Sequence, residues 1–299
     1  MRLYNGKWDN IWDNDKYNVI RNKIKDAFKD LVFYEGPHEY YLGDRKMTCV
    51  SDVTHMFKEE FDSQRIAEET FERNFDNPSS KYYQMTVDEI LEAWKDNSRR
   101  ACEHGTERHS FAEGAFYFMT RQYNLIPDEF KDRVKTDEEG NDYYESEHYK
   151  EDAVVRFYKE IPICFVPIMA EAKVFVTKEE YAYSGTFDLL MYYDATLDGK
   201  DDSKSGLVVM DWKTNKDLYK NFGNKTLLPP FDDFLDMSLS IYKIQLSAYQ
   251  HCLENIGLKV IARRILWLLP DGTYNKIPTE SLVKLLLMGL KIKHMEGKI

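Results

Sequence analysis

Residues 183–216 place Asp188 in an apolar run that reads as a strand, then a polar hairpin loop over 198–206, then a second strand ending in Asp211-Trp212-Lys213. Side chains along a strand alternate faces, so Asp211 and Lys213 point the same way. If the two runs pair as a hairpin, Asp188 comes beside them at one end of a sheet. Two carboxylates and a lysine converging there suit a hydrolytic metal site. The acids offer hard oxygen ligands for Mg²⁺ or Mn²⁺, which take octahedral oxygen shells and retain water. Phosphodiester hydrolysis needs an activated water and cations that neutralise charge on the phosphate and the leaving oxygen. Lys213 can orient or help deprotonate that water and stabilise the transition state.

A helical stretch over 98–121 carries the next group. Gly105, His109 and Glu113 stand at i, i+4 and i+8, on one face. Glycine inside a helix costs about 1 kcal/mol relative to alanine, so Gly105 suggests close packing or substrate approach. His109 can complete a metal shell, and an imidazole ligand biases such a site toward Mn²⁺. In a helix over 241–253, Gln245 and Tyr249 sit one turn apart. Directly after the second strand, residues 216–225 (KDLYKNFGNK) are basic and aromatic. Lys216, Lys220 and Lys225 are candidates for contact with a nucleic-acid backbone, and the aromatics for stacking on bases; the bland alternative is a solvated loop. Arg263 and Arg264 can reach phosphate or make local ion pairs.

The elements that must position these residues follow from pattern. Apolar positions at Val19, Ile20, Ile24, Ala27 and Phe28 predict a helix over 17–28. Alternation on both sides of Gly43-Asp44 predicts a hairpin over 38–50, and 51–54 reads as a turn leading into a helix. Residues 61–74 are helical and highly charged. Thr86-Val-Asp-Glu89 fits a capping box opening a helix, followed by the second helix over 98–121. Residues 126–152 read as an acidic solvated loop followed by a helix, and 171–176 as a strand. Residues 218–240 form a long irregular excursion, of the kind that is usually functional or mobile. A strand over 260–269, a turn at Pro270-Asp-Gly272 and a helix over 280–294 complete an α/β or α+β order.

Four of these groups, in this order, resemble the motifs of the PD-(D/E)XK nuclease superfamily, nearest its RecB-type and phage exonuclease branch. They are Gly105-Thr106-x-x-His109-x-x-x-Glu113, Gly185-x-x-Asp188, Asp211-x-Lys213 and Gln245-x-x-x-Tyr249. The resemblance covers residues 98–269 and extends upstream only loosely. It implies a restriction-endonuclease-like core, a central mixed sheet flanked by helices, with an N-terminal helical extension over 1–97 packed on a nuclease core over 98–299. Position by position, it makes Asp188 and Asp211 the metal-binding acids, Asp211 standing where many relatives have Glu. Lys213 becomes the catalytic lysine, His109 a metal ligand and Glu171 an additional acid. Glu113 and Gly105 become support for the site, and Gln245 and Tyr249 position the site or the DNA. One or two Mg²⁺ or Mn²⁺ ions are implied. The cysteine set that holds an iron–sulfur cluster in some relatives is absent, so no cluster is expected. The implied activity is a DNA exonuclease, 5′ to 3′ on linear DNA, in phage-type recombination, repair or replication. DNA would be the partner, with a recombination or single-strand-binding protein as a possible second one. The alternatives are a non-catalytic binding module that retains the fold, and an endonuclease.

Bulk composition is compatible with this. A chain of 299 residues with 43% hydrophobic and 14% aromatic residues can bury a substantial core. The net charge of −11 argues at first against nucleic acid, but the acidity is regional. Residues 126–152 hold eleven Asp and Glu against four Lys and Arg, whereas 243–299 hold nine Lys and Arg against four acids. Four dispersed cysteines, no long apolar run and a polar N-terminus lead to the expectation of an intracellular, cytoplasmic protein without a membrane span.

Overall fold

The computed structural model describes residues 1–297, and the chain divides into two units, one made by residues 1–58 with those from 109 onward, the other by 59–108. The large unit begins with strand β1 (Arg2–Tyr4), helix α1 (Asp15–Phe28), strands β2 (Leu31–Tyr34), β3 (Glu39–Leu42) and β4 (Arg45–Cys49), and the short helix α2 (Val50–His55). The small unit holds α3 (Ser63–Asn74) and the first part of α4 (Val87–Met119). Thr86 and Glu89 form the expected capping box: the Thr86 N–H donates to Glu89 Oε2 (2.7 Å), and the Glu89 N–H to Thr86 Oγ1 (3.3 Å). Two helices are expected between 86 and 121, but α4 is one continuous helix, because nothing between Trp94 and Ser98 breaks its hydrogen bonding.

The large unit continues with β5 (Val134–Thr136), β6 (Asp142–Glu145), α5 (Tyr149–Glu160), β7 (Phe165–Thr177), β8 (Ala182–Tyr193), β9 (Gly206–Lys213), α6 (Ser238–Asn255), β10 (Val260–Leu268), β11 (Tyr274–Thr279) and α7 (Val283–Met295). The fold is mixed α/β, with a central, mostly antiparallel sheet flanked by helices. Its order is β11-β10-β9-β8-β4-β3-β2, with β7 also paired to β8. Among the described residues, only β9–β10 and β4–β8 run parallel. The resemblance implies a boundary after residue 97; the two compact units meet at 58/59 and 108/109, and β2, β3 and β4 hydrogen-bond into the main sheet.

Strand β8 is the hub. Its apolar residues Phe187, Leu189, Leu190 and Met191 are fully buried, as are Val209 of β9 and Ile265 and Leu266 of β10. β7 pairs along its whole length, from Ala182 to Tyr193. A strand has two edges, so β4 and β9 must share the other. β4 takes Tyr183 and Ser184, and β9 takes Leu189 to Tyr193. Residues 185–188 therefore have no strand beside them on that edge.

Other differences from the sequence expectations have local causes. Residues 51–54 lie inside helix α2. The acidic stretch is not only loop: β6 pairs with β1 on one side and β5 on the other in a separate three-stranded sheet, because Tyr143 and Tyr144 bury their rings there. β2 and β11 are short edge strands whose pairing partners, not their own patterns, make them strands. The excursion from 218 runs to the start of α6 at Ser238 with no named element beyond an isolated bridge between Thr226 and Leu235. No helix among the described residues is long and apolar enough to cross a membrane.

Candidate metal centre

The uncovered stretch of β8 holds Asp188. Where β9 parts from β8, the Trp212 backbone N–H donates to Asp188 Oδ2 at 2.7 Å, a side-chain bond that takes over from the ladder. Trp212 itself packs its ring edge-on to Phe157 of α5, with centroids 5.1 Å apart. The wedge thus keeps its shape through a buried aromatic contact.

Glu171 comes from β7. The flanking pairs Ala170–Leu189 and Ala172–Phe187 set it across from Asp188. Its backbone is left-handed, with φ of 45°, a conformation that costs a non-glycine residue on the order of 1–3 kcal/mol. Strain of that size in the middle of a strand persists where it aims a side chain that matters.

His109 arrives from α4. Phe111, Ala112, Ala115, Phe116 and Phe118 bury the C-terminal part of that helix. Tyr144 of β6 stacks on Phe111 (4.9 Å) and lies against Gly114, where a side chain would not fit. The His109 Nδ1 is 3.3 Å from Asp188 Oδ2 and 4.0 Å from Glu171 Oε1. One ligand atom from each of His109, Glu171 and Asp188 lies within 4.8 Å of the others. Asp211 is not in this trio; it is wholly buried and faces Lys213, whose Nζ is 2.6 Å from Asp211 Oδ2. His109 and Glu171 keep about 28% of their side chains exposed, whereas Asp211 keeps 1%. The cluster therefore opens on the His109 and Glu171 side.

The charges do not balance. Burial and then Asp188 push the Glu171 carboxyl well above the usual range, against the pull of His109. Burial and then Asp188 also push Asp211 up to about 7, although Lys213 opposes this. Asp188 is held below its ordinary value: burial works the other way, but His109, Lys213 and the Trp212 N–H outweigh it. Burial lowers His109, yet Asp188 and then Glu171 bring it to about 9. Neither Asp211 oxygen accepts a well-aligned hydrogen bond, despite full burial. Three acids thus share two cations, and an imidazole with hard carboxylate oxygens is a donor set that fits Mn²⁺ or Mg²⁺.

Around this cluster, Glu113 lies one turn beyond His109, and its charge reaches Glu171. Burial raises the Glu113 carboxyl, against a hydrogen bond from Tyr117 a further turn along. Gly105 is on α4 but in the small unit. The Gln245 amide donates to Tyr249 Oη at 3.1 Å. Tyr249 packs on a face of β8: a Cβ on Gly185 would lie 2.9 Å from Tyr249 Cε1 and 3.1 Å from Val50 Cγ2. Only glycine lets α2 and α6 approach β8 there, which explains the spacing Gly185-x-x-Asp188. Lys216, Lys220 and Lys225 are exposed on the loop that follows β9 and stand outside the cluster.

Three tyrosines near the site, Tyr40, Tyr242 and Tyr117, are missed by the sequence reading. The Tyr40 hydroxyl is 2.9 Å from Thr186 Oγ1, and burial, then charges that include Glu171 and Asp188, push it up to about 12. The Tyr242 ring centre is 4.3 Å from Lys213 Nζ, and its hydroxyl donates to Asn215 Oδ1 at 2.9 Å. Tyr117 extends the His109–Glu113 face, a signal that was available as the next i+4 position. Comparison of the sequence with protein-family models and with curated proteins finds no match.

Proposed function

We propose that this chain is a divalent-metal-dependent nuclease with a PD-(D/E)XK-like core, hydrolysing phosphodiester bonds from the ends of linear DNA in the 5′ to 3′ direction. The observation that carries the reading is the convergence of His109, Glu171 and Asp188 beside the Asp211–Lys213 pair on neighbouring antiparallel strands. His109, Glu171 and Asp188 would hold a Mg²⁺ or Mn²⁺ ion. Bound there, the ion would polarise the phosphate and acidify a water. Lys213 is charged, because Asp211, Asp188 and Tyr242 outweigh the effect of its burial. It therefore serves to neutralise developing charge on the phosphate and to hold the water's orientation, with Asp211 and the Tyr242 ring fixing its ammonium.

A digestion panel tests the reading, with linear duplex, covalently closed circular and single-stranded DNA, each in Mg²⁺, Mn²⁺ or EDTA. Metal-dependent loss of linear DNA, abolished in Asp188→Asn and Lys213→Ala, is expected. Full activity in either folded variant, or digestion unaffected by EDTA, overturns it. Cleavage of closed circles would make the enzyme an endonuclease.

A further inference from the structure

We propose that Tyr219, Phe222 and Trp267 form a stacking platform for unpaired bases, so that the substrate beside Lys213 is a single strand of nucleic acid. The proposal rests on the nuclease reading for where that strand leads.

Trp267 of β10 registers beside Lys213 of β9, and its indole N–H donates to the Asn215 carbonyl at 2.8 Å. The Tyr219 ring packs against Trp267 with centroids 6.0 Å apart at 67°. Phe222 stands further out, 71% exposed, with Lys220 Nζ 4.5 Å from its ring centre; Tyr219 is 52% exposed. A lone exposed aromatic is ordinary. Here Tyr219 packs on a half-buried indole that neighbours the candidate catalytic lysine, and Phe222 stands exposed three residues on in the same loop.

The loop that carries them is held at its base. Leu218 and Leu227 are buried, and the Leu239 N–H donates to the Leu218 carbonyl at 3.0 Å. The Asn221 amide spans to the carbonyls of Lys225 (2.8 Å) and Asp236 (3.0 Å). The rings are therefore presented by a closed turn. Between 213 and 225 stand Lys213, Lys216, Lys220 and Lys225, against Asp217 as the one acid, in a chain whose net charge is −11. Phosphates are drawn to such a run, and bases with free faces stack on rings. Bases within a duplex have their faces occupied by each other, so the platform favours the unpaired strand.

Binding measured in EDTA tests this without relying on cleavage. The probes are a fluorescein-labelled oligothymidylate of about twenty nucleotides, long enough to exceed the site sizes usual for single-strand binders, an abasic oligomer of equal length and phosphate charge, and a blunt duplex. Oligothymidylate should bind about tenfold more tightly than the abasic oligomer. Phe222→Ala and Tyr219→Ala should each remove most of that preference and leave abasic binding unchanged, while Phe222→Trp retains it. Equal binding of the oligothymidylate and abasic probes, or an unaltered preference in Phe222→Ala, overturns the proposal. Loss of the preference for the single strand over the duplex in Phe222→Ala supports it. Because no step depends on hydrolysis, the platform can stand if Asp188→Asn proves fully active, and fail if the nuclease reading holds.

Discussion

The Lys213 ammonium lies 2.6 Å from Asp211 Oδ2 and 4.3 Å from the centre of the Tyr242 ring. Two different attractions thus hold one charge, from a strand neighbour and from a helix. A cation–π contact of this kind is worth about 0.5–2 kcal/mol. Tyr242→Leu should lower the rate of DNA hydrolysis roughly tenfold with little change in Mn²⁺ affinity. Lys213→Ala should lower it by about 10²–10³, the range for losing a group that stabilises transition-state charge. Single-turnover digestion at saturating metal measures both, and equal rates for Tyr242→Leu and the parent would remove the ring from the argument.

Metal affinity should depend on pH in one direction. Glu171 is raised and His109 lies at about 9, and each must lose its proton before it can ligate a cation. Mn²⁺ binding should therefore tighten as pH rises from below 7 to about 9, and protons should be released. Calorimetric titration in buffers of different ionisation enthalpy reads both. Asp188→Asn and His109→Ala should weaken binding by at least the roughly 10–100-fold that loss of an outer-shell partner costs. A pH-independent affinity would contradict the cluster as the ligand set.

Glu171→Gln should stabilise the metal-free protein. An acid held above its ordinary value contributes stability that is complete below that value and is lost as pH rises through the folded one. At neutral pH the Glu171 charge is therefore a cost, set by burial and Asp188, and the amide removes it. A rise in Tm at pH 7 that disappears near pH 4 is expected, at up to about 2 °C per kcal/mol for a chain of this length. The same variant should lose the extra stability that Mn²⁺ confers on the parent. A Tm that falls at pH 7 would show that the carboxylate has a partner holding it charged.

Gly185→Ala should destabilise by about 1–3 kcal/mol, because its Cβ would meet Tyr249 and Val50 in a packed interior. Gly36→Ala is the control, since nothing lies within 4 Å of the Cβ there. Urea unfolding of the two variants should separate them clearly. Gly185→Ala should also slow hydrolysis, by displacing Tyr249 from its place against β8, the strand that carries Asp188.

Local pattern determined a good deal. Period-two apolar runs place Asp188 on one strand and Asp211 with Lys213 on the next, and a period near four places His109 and Glu113 on one helical face. The hairpin at Gly43-Asp44, the strand through Glu171 and the helix bearing Gln245 and Tyr249 are legible in the same way, since each depends on neighbours in the chain. Pairing across the chain is not. The short strands β2, β5, β6 and β11 exist because partners align with them, and sequence carries little trace of a partner. Nor does spacing reveal that β4 and β9 share an edge of β8 and leave residues 185–188 bare. At that gap the Trp212 N–H turns onto Asp188. Sequence by itself determined which side chains can do chemistry and which way each faces along its own element. Only the tertiary structure decided which of them meet, and that Glu171 rather than Asp211 completes the trio with His109 and Asp188, because burial beside Lys213 commits the Asp211 carboxylate elsewhere.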